Sequence, residues 1–342
     1  MKKISIIICL LTIISILFAS CGASGNTTTE NSSTETPQGD ASAYGTGSNA
    51  SATLDEVISE KLRIDTSTDH TVKYVHDVYT GDAGTDEYCT EEVMATKEKE
   101  VEKFFEVLGT QAKEITNGKA LKNTVDFSGD GFTGSVYYGS LNVTPDEMSL
   151  TVDSTDEEIL NYFNSRPELI ALAKYSGVDL ENVFINRSIT RSNTDENNRF
   201  CKYTICTNVE SPEELAYNVR FNSISFNLYD KTEDDENSST TEGTTFSVAQ
   251  QLASDFDYKS NTSEITVPAS AYETAAETAA RDISANTDPK EDVTADKLSA
   301  CTITYTTSQE KSGYIIPCYR FYYVSDSSVY YSDFALTEYL PA

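Results

Sequence analysis

Three times along this chain, apolar residues at helical spacing are followed by segments in which apolar and polar residues alternate. The first such helix is predicted at Glu91–Leu108. The second follows a capping box of Thr155 and Glu158. The third carries an apolar stripe from Tyr272 to Ile283 and is predicted to be capped by Ser270 and Glu273. A helix followed by a meander of strands predicts antiparallel sheets packed by helices. We therefore expect an α+β fold of two or three tandem helix-then-meander units.

The predicted strands fall into three groups, each of which follows one helix. They are Leu121–Phe127, Phe132–Tyr138 and Met148–Val152; Val183–Thr190, Phe200–Thr207 and Val219–Tyr229; and Cys301–Thr306, Tyr314–Val324 and Val329–Leu336. One further strand is predicted before the first helix, at Thr71–Thr80. A capping box with proline at the first helical position, Ser211-Pro212-Glu213-Glu214, separates two strands of the second group.

The N-terminus has the order of charge, apolar run and small residues that is typical of a secretory signal. Lys2 and Lys3 precede an apolar run from Ile4 to Phe18, and small residues stand before Cys21. At about 1.5 Å per residue, a run of roughly 15 residues is shorter than the roughly 30 Å hydrocarbon core of a membrane. A cleaved signal is therefore favoured over a retained membrane helix.

The segment Leu17-Phe18-Ala19-Ser20-Cys21 resembles the lipobox of bacterial lipoproteins, with Phe18 where leucine is usual. The resemblance covers only this end of the chain. It implies that residues 1–20 are a signal peptide and that Cys21 is lipidated, through a diacylglyceryl group and palmitate-type chains, and becomes the new N-terminus. Two acyl chains anchor a protein stably. The expected location is the cell membrane, with the protein facing outside the cytoplasm.

Two stretches without a hydrophobic pattern suggest the domain boundaries. Residues 21–52 are predicted to be a flexible tether, and the acidic residues 231–245 a linker or long loop. This division leaves an α+β domain at 53–230, which could itself split near 153, and a C-terminal α+β domain at 246–342.

The charge of the chain restricts its partners. Without Lys2 and Lys3, 23 basic side chains face 55 acidic ones, and the formal charge of the mature chain becomes −32 instead of −30. Nucleic acid and anionic lipid headgroups would both be repelled. We expect no nucleic-acid partner, and membrane contact through the lipid anchor only.

One segment has the residue types of a calcium loop. Asp126, Ser128 and Asp130 occupy the first, third and fifth positions of an EF-hand-like pattern, with Gly131 at the sixth. Tyr137 stands at the twelfth position, where such loops carry glutamate, and the flanking segments read as strands. A hairpin turn explains the same residues, so the metal reading stays a weak alternative.

Histidine and cysteine spacing indicates neither a catalytic pair nor a metal site. His70 is read as a polar loop residue and His76 as a half-buried strand residue, too far apart to share a metal ion. Cys201 and Cys206 are predicted to lie on opposite faces of one strand. By strand parity, Cys301 and Cys318 also point to opposite faces, so no bridge is expected between them unless a bulge at Pro317 changes the register.

These observations favour a non-catalytic, extracytoplasmic binding or regulatory module that recognises an unknown protein or ligand. Adjacent tyrosines on predicted strands, such as Tyr330-Tyr331, could supply an exposed contact surface, although ordinary sheet packing explains them too. We predict no catalytic residue and no cofactor. The alternative is a carboxylate-dependent hydrolase of cell-wall or peptide substrates, which would need two acids in one apolar cleft.

Overall fold

The computed structural model describes residues 45–50, 53–78, 90–117, 124–137, 140–191, 199–229, 244–248, 261–308, 313–326 and 328–341. Over these residues the chain is an α+β protein with two antiparallel sheets, so the predicted fold class is confirmed. None of the helices in this part is long and apolar enough to cross a membrane.

Six α-helices lie in the described part of the chain. They are α1 Leu54–Val57, α2 Glu91–Leu108, α3 Asp156–Ser165, α4 Pro167–Ser176, α5 Pro212–Phe221 and α6 Ser270–Asn286. The hydroxyl groups of Thr90, Thr155 and Ser211 each accept a backbone N–H of the first turn that follows. α2 keeps its predicted bounds and ends at Gly109, whose φ of 76° suits glycine.

Fourteen strands lie in the same part. They are β1 Gly45–Ala50, β2 His70–Val75, β3 Glu114–Asn117, β4 Thr124–Gly129, β5 Phe132–Tyr137, β6 Ser140–Pro145, β7 Val183–Arg191, β8 Arg199–Thr207, β9 Ser223–Tyr229, β10 Phe246–Val248, β11 Thr262–Val267, β12 Ala300–Thr307, β13 Ile315–Val324 and β14 Ser328–Ala335. Eight of them form one sheet in the order β3-β4-β5-β6-β10-β9-β8-β7. The short β10 pairs with both β6 and β9, and it therefore joins the first two predicted meanders into one sheet.

The other sheet has six strands. β12, β13 and β14 form the predicted C-terminal meander, and β1 pairs with the free edge of β14. β2 pairs with β11, and this pair meets β13 where Val75 lies opposite Ile315. The C-terminal sheet therefore depends on strands from the beginning of the described chain.

Helices α2, α3 and α4 cover one face of the eight-stranded sheet. Phe104 of α2 and Phe163 of α3 are fully buried against it, together with Phe226 and Phe246 from the strands. The ring centroids of Phe226 and Phe246 are 4.6 Å apart. Burial of each such side chain contributes about 1.5–3 kcal/mol, so this face is a conventional apolar core.

The two sheets meet at a packed junction. Helix α5 contacts β8 and β9 of one sheet and β2 and β12 of the other. Its Phe221 packs edge-on against Tyr305 of β12, with ring centroids 5.2 Å apart. Phe184 of β7 and Cys206 of β8 belong to the core of the six-stranded sheet. We call this region, where the outer face of β7–β9 approaches the six-stranded sheet, the junction.

The division into sheets does not coincide with the expected domain boundaries. β10 begins at Phe246, the expected start of a separate C-terminal domain, but it lies inside the eight-stranded sheet. β2 belongs to the expected N-terminal domain, but it pairs with β11. The possible split near 153 also falls within one sheet, because β3–β6 and β7–β9 are joined. Alternation within a segment predicts a strand without identifying its partner, which explains the difference.

Four local predictions were wrong. Met148–Val152 is not a strand, whereas residues 140–145 form β6. Val219 belongs to α5, because the helix continues to Phe221 before β9 begins. Ala269 rather than Ser270 is the N-cap of α6, and its N–H donates to Asp69 over 2.9 Å.

The fourth correction concerns the predicted tether. Residues 45–50 form β1 because backbone pairing with β14 needs no apolar side chains, and Gly47 allows Tyr331 to approach its backbone closely. Residues 21–44, 51–52 and 231–243 lie outside the described residues.

Candidate binding site

The calcium-like loop is a two-residue hairpin. β4 and β5 pair up to Gly129 opposite Phe132, and Gly131 takes a φ of 80° in the turn. Asp130 forms an ion pair with Lys113. Asp126 and Ser128 lie on β4, and no group of three His, Cys, Asp or Glu residues suited to a metal ion occurs in the described part. The turn interpretation explains this segment.

His70 is not the polar loop residue that was expected. It begins β2 and is 4% exposed, and its Nδ1 lies 2.7 Å from Oε1 of Glu213 in the first turn of α5. Ser211 donates to the other carboxylate oxygen of Glu213 over 2.6 Å. The hydrogen bond to His70 is the main reason why the pKa of Glu213 falls to about 2. His76 is partly exposed, as predicted, and contacts Asp77, but it is not a strand residue because β2 ends at Val75. The His70–Glu213 pair connects the six-stranded sheet to α5.

Four cysteines of the described part are free thiols, and all four are buried: Cys201, Cys206, Cys301 and Cys318. Cys201 and Cys206 belong to different cores, so their predicted placement on opposite faces is confirmed. Cys301 lies opposite Phe321 and Cys318 opposite Thr304, which confirms their predicted parity.

Burial raises the pKa of the Cys206 thiol to about 12. A high pKa leaves little thiolate, so Cys206 is a poor nucleophile. The lipidation residue, Cys21, lies outside the described residues.

The paired tyrosines do not form a broad exposed face. Tyr322 and Tyr330 are buried, and Tyr323 and Tyr331 are partly buried. Within the part of the chain that the structure describes, Tyr229 is the most exposed large apolar side chain, at 43%. The binding hypothesis therefore needs another surface.

One buried acid bears on the hydrolase alternative. Glu168 at the start of α4 is 4% exposed, and its Oε1 has no hydrogen-bond partner in the described part. Burial is the main reason why its pKa is raised, with a smaller contribution from the charge of Asp146. Asp146 itself is exposed, so the two acids do not share an enclosed apolar cleft.

At one end of the junction, a polar groove of about 320 Å³ runs between residues 60–63 and 208–212. Lys61 donates to the side-chain oxygen of Asn208 over 3.3 Å, and Arg63 is paired with Asp55. Glu60 and Glu210 also line the groove, so acidic and basic groups balance there.

The opposite end of the junction carries three cations, which we call the basic cluster: Lys202 on β8, Arg220 on α5 and Arg320 on β13. Lys202 is exposed, and its pKa is lowered, first by desolvation and then by the charges of Arg220 and Arg320. Among the described residues, Lys202 has no acidic partner.

Arg320 is held rigidly. Its Nε and Nη2 donate to the two carboxylate oxygens of Asp333, each over 2.6 Å, and its guanidinium lies 4.4 Å from the centre of the Tyr331 ring. Burial alone would lower the pKa of Arg320, but the hydrogen bonds and charge of Asp333 raise it. Asp333 therefore compensates the positive charge of Arg320.

The surface of the eight-stranded sheet around Lys202 is polar. Ser188 and Asn227 lie directly opposite Lys202 on the neighbouring strands. One pair further along β8, Asn186 lies opposite Thr204, and its buried Oδ1 has no hydrogen-bond partner in the described part. Two residues from Lys202 in the other direction along β8, Phe200 lies opposite Tyr229, and the centroids of these two rings are 5.0 Å apart. All these residues share one face, because residues two apart on a strand point the same way.

Comparison with protein-family models, with curated proteins and with solved structures gives no match for this chain. The basic cluster was missed from the sequence, because its members come from three elements that are distant along the chain. One signal was present: Arg320 is the only charged residue in the ten-residue apolar strand β13. Such a residue needs a specific partner or role.

Proposed function

We propose that this protein is a non-catalytic binding module that is held on the outer face of the cell membrane by lipid attached to Cys21. The anchor part of the proposal rests on the lipobox-like segment Leu17–Cys21. The binding part is supported by Lys202, an exposed cation on β8 that has no acidic partner among the described residues. A chain with 55 acidic side chains offers many possible partners for a lysine. A lysine that has no acidic partner in the described part of the chain is available to an external anion.

The geometry of the reactive side chains also favours binding over catalysis. His70 is buried against Glu213, and Cys206 is protonated at neutral pH. These groups act as parts of the junction. The hydrolase alternative keeps one supporting observation, the raised pKa of Glu168, which is the property of a general acid.

Fractionation tests the anchor. In Cys21→Ala, we expect the protein in the medium or unprocessed in the membrane, and no incorporation of a labelled fatty acid. Cys89→Ala is the matched control and should remain membrane-bound and labelled. Membrane retention of a cleaved, unlabelled Cys21→Ala protein would contradict the proposal.

Native mass spectrometry tests the binding function. Protein released gently from membranes should carry an intact small molecule, and incubation should leave that molecule unchanged. Conversion of the co-purified molecule would favour the hydrolase alternative. In that case Glu168→Gln should abolish the conversion.

A further inference from the structure

We infer that the polar groove between residues 60–63 and 208–212 binds a free basic amino acid, a small molecule with two cationic groups and one carboxylate. The groove has a volume of about 320 Å³, at the lower end of the roughly 300–1,000 Å³ that is typical of ligand pockets. It therefore admits a ligand of amino-acid size. The inference goes beyond the proposed function, because Lys202 is not among the residues that line the groove.

Both walls of the groove are held in place by the fold. The first wall is a short 3₁₀ helix, Glu60–Leu62, whose Leu62 is buried in the core of the six-stranded sheet. The second wall follows β8, where the backbone N–H of Asn208 donates to the carbonyl oxygen of Asn182 over 2.8 Å. The side chain of Lys61 connects the two walls, since its Nζ donates to Oδ1 of Asn208 over 3.3 Å. A preformed groove loses little conformational entropy when a ligand binds.

Three charged groups of the groove have no partner of opposite charge in the described part of the chain. Glu60 and Glu210 are exposed, and neither forms an ion pair there. Lys61 donates to a neutral amide oxygen, which leaves its charge uncompensated. The fourth charged residue of the groove, Arg63, is paired with Asp55. Two unpaired carboxylates and one ammonium group are the complement of a ligand with two cationic groups and one carboxylate.

Two apolar side chains, Val209 and Pro212, also line the groove. Both are partly buried, and Val209 packs against the core of the six-stranded sheet. The methylene chain of a basic amino acid can lie against such a surface while its charged ends stay with the polar groups. A ligand that is charged at both ends and apolar between them therefore suits the groove better than a uniformly polar one.

The overall charge of the chain favours this ligand. A basic amino acid carries one net positive charge at neutral pH, whereas the chain has a formal charge of −30. A strongly acidic surface attracts a cation over longer distances than the contacts within the groove. Salt shortens this range to about 8–10 Å at ordinary ionic strength, so the affinity should fall as salt is added.

Calorimetric titration of the mature chain with three matched probes tests the inference at physiological ionic strength. L-Lysine carries all three charged groups, norleucine lacks the side-chain ammonium, and 1,5-diaminopentane lacks the carboxylate. We expect lysine to bind about fivefold more tightly than either of the others, because each deletion leaves one charged group of the groove unpaired. Failure of lysine to bind, or equal affinities for lysine and norleucine, would overturn the inference.

Substitutions locate the site. Lys61→Gln should weaken lysine binding about fivefold and leave 1,5-diaminopentane binding unchanged, because that probe has no carboxylate. Glu60→Gln and Glu210→Gln should each weaken lysine binding by a similar factor. Lys99→Gln and Glu102→Gln, changes at exposed residues of α2, are the matched controls and should leave it unchanged. All five positions are exposed, so each variant should fold, which circular dichroism checks.

Groove variants that bind lysine as tightly as the α2 controls would overturn the inference. The comparison of the three probes on the wild-type chain does not depend on any variant, so it tests the ligand class even if one variant is unstable.

Lys202→Gln separates this inference from the proposed function. Because Lys202 does not line the groove, the variant should bind lysine as the wild type does. A loss of lysine binding equal to that of Lys61→Gln would overturn the groove site. If lysine fails to bind while another small molecule co-purifies unchanged, the groove inference fails and the binding function stands. If lysine binds but a co-purified molecule is converted on incubation, the non-catalytic function fails and the groove site stands.

Discussion

The core of the eight-stranded sheet is built mainly from phenylalanine and aliphatic side chains, whereas that of the six-stranded sheet contains more tyrosine and several buried polar groups. Among the described residues, six polar atoms in or beside the six-stranded sheet are buried without a hydrogen-bond partner: Arg63 Nε, His70 Nε2, Asp282 Oδ2, Tyr305 OH, Tyr319 OH and Ser332 Oγ. The eight-stranded sheet and its helices have two comparable cases in the same part of the chain, Glu168 Oε1 and Asn186 Oδ1.

This difference separates two roles. Each unsatisfied buried polar atom costs about 1–3 kcal/mol, so a sheet that keeps several of them is not optimised for stability alone. The eight-stranded sheet is packed for stability. The six-stranded sheet carries the polar groups from which a site can be built.

The largest expected effect is on the apolar core. Phe104→Ala removes a fully buried ring and should lower the free energy of unfolding by about 3–5 kcal/mol. Urea denaturation followed by circular dichroism measures the loss. Phe104→Leu, which retains most of the volume, is the control and should cost less. A loss below about 1 kcal/mol for the alanine variant would show that this face is not the stabilising core.

The next largest expected loss of stability concerns the His70–Glu213 pair. Glu213→Gln should cost about 2 kcal/mol at neutral pH, because His70 Nδ1 loses its charged partner in a buried position. The pKa of Glu213 is lowered to about 2 in the folded state from 4.5. Its contribution is therefore complete above about pH 4.5–5 and is lost as pH falls toward 2. The difference between wild type and variant should shrink over the same interval.

Glu214→Gln is the matched control for this pair. Glu214 is the next residue of α5 and forms a partly exposed ion pair with Lys73, at 2.5 Å. Its substitution should cost at most about 1 kcal/mol. Equal losses of unfolding free energy for Glu213→Gln and Glu214→Gln would show that the buried pair stabilises the fold no more than the exposed pair does.

The local parts of the fold were predictable from the sequence, and the non-local parts were not. α2 has its predicted bounds because Thr90, an apolar stripe and Gly109 specify it within twenty residues. β10 and the β2–β11 pair were missed because their partners are distant along the chain. His70 was misassigned for the same reason: its partner Glu213 is 143 residues away.

The smallest expected effect concerns a polar atom of the six-stranded core. Tyr319→Phe removes a buried hydroxyl that has no hydrogen-bond partner in the described part, while the ring stays in place. We expect unchanged stability or a gain of up to about 1 kcal/mol. Thermal unfolding of wild type and variant in parallel measures this. A loss above about 1 kcal/mol would mean that the hydroxyl is satisfied, and the contrast between the two sheets would weaken.

Hydrogen–deuterium exchange of the mature chain tests most directly whether the two sheets differ in role. We expect the slowest exchange in peptides that cover β4, β5 and β9 of the eight-stranded sheet, and faster exchange in β12, β13 and β14, whose core keeps unsatisfied polar atoms. Equally slow exchange in the two groups of strands, or slower exchange in β12–β14, would contradict the difference in role.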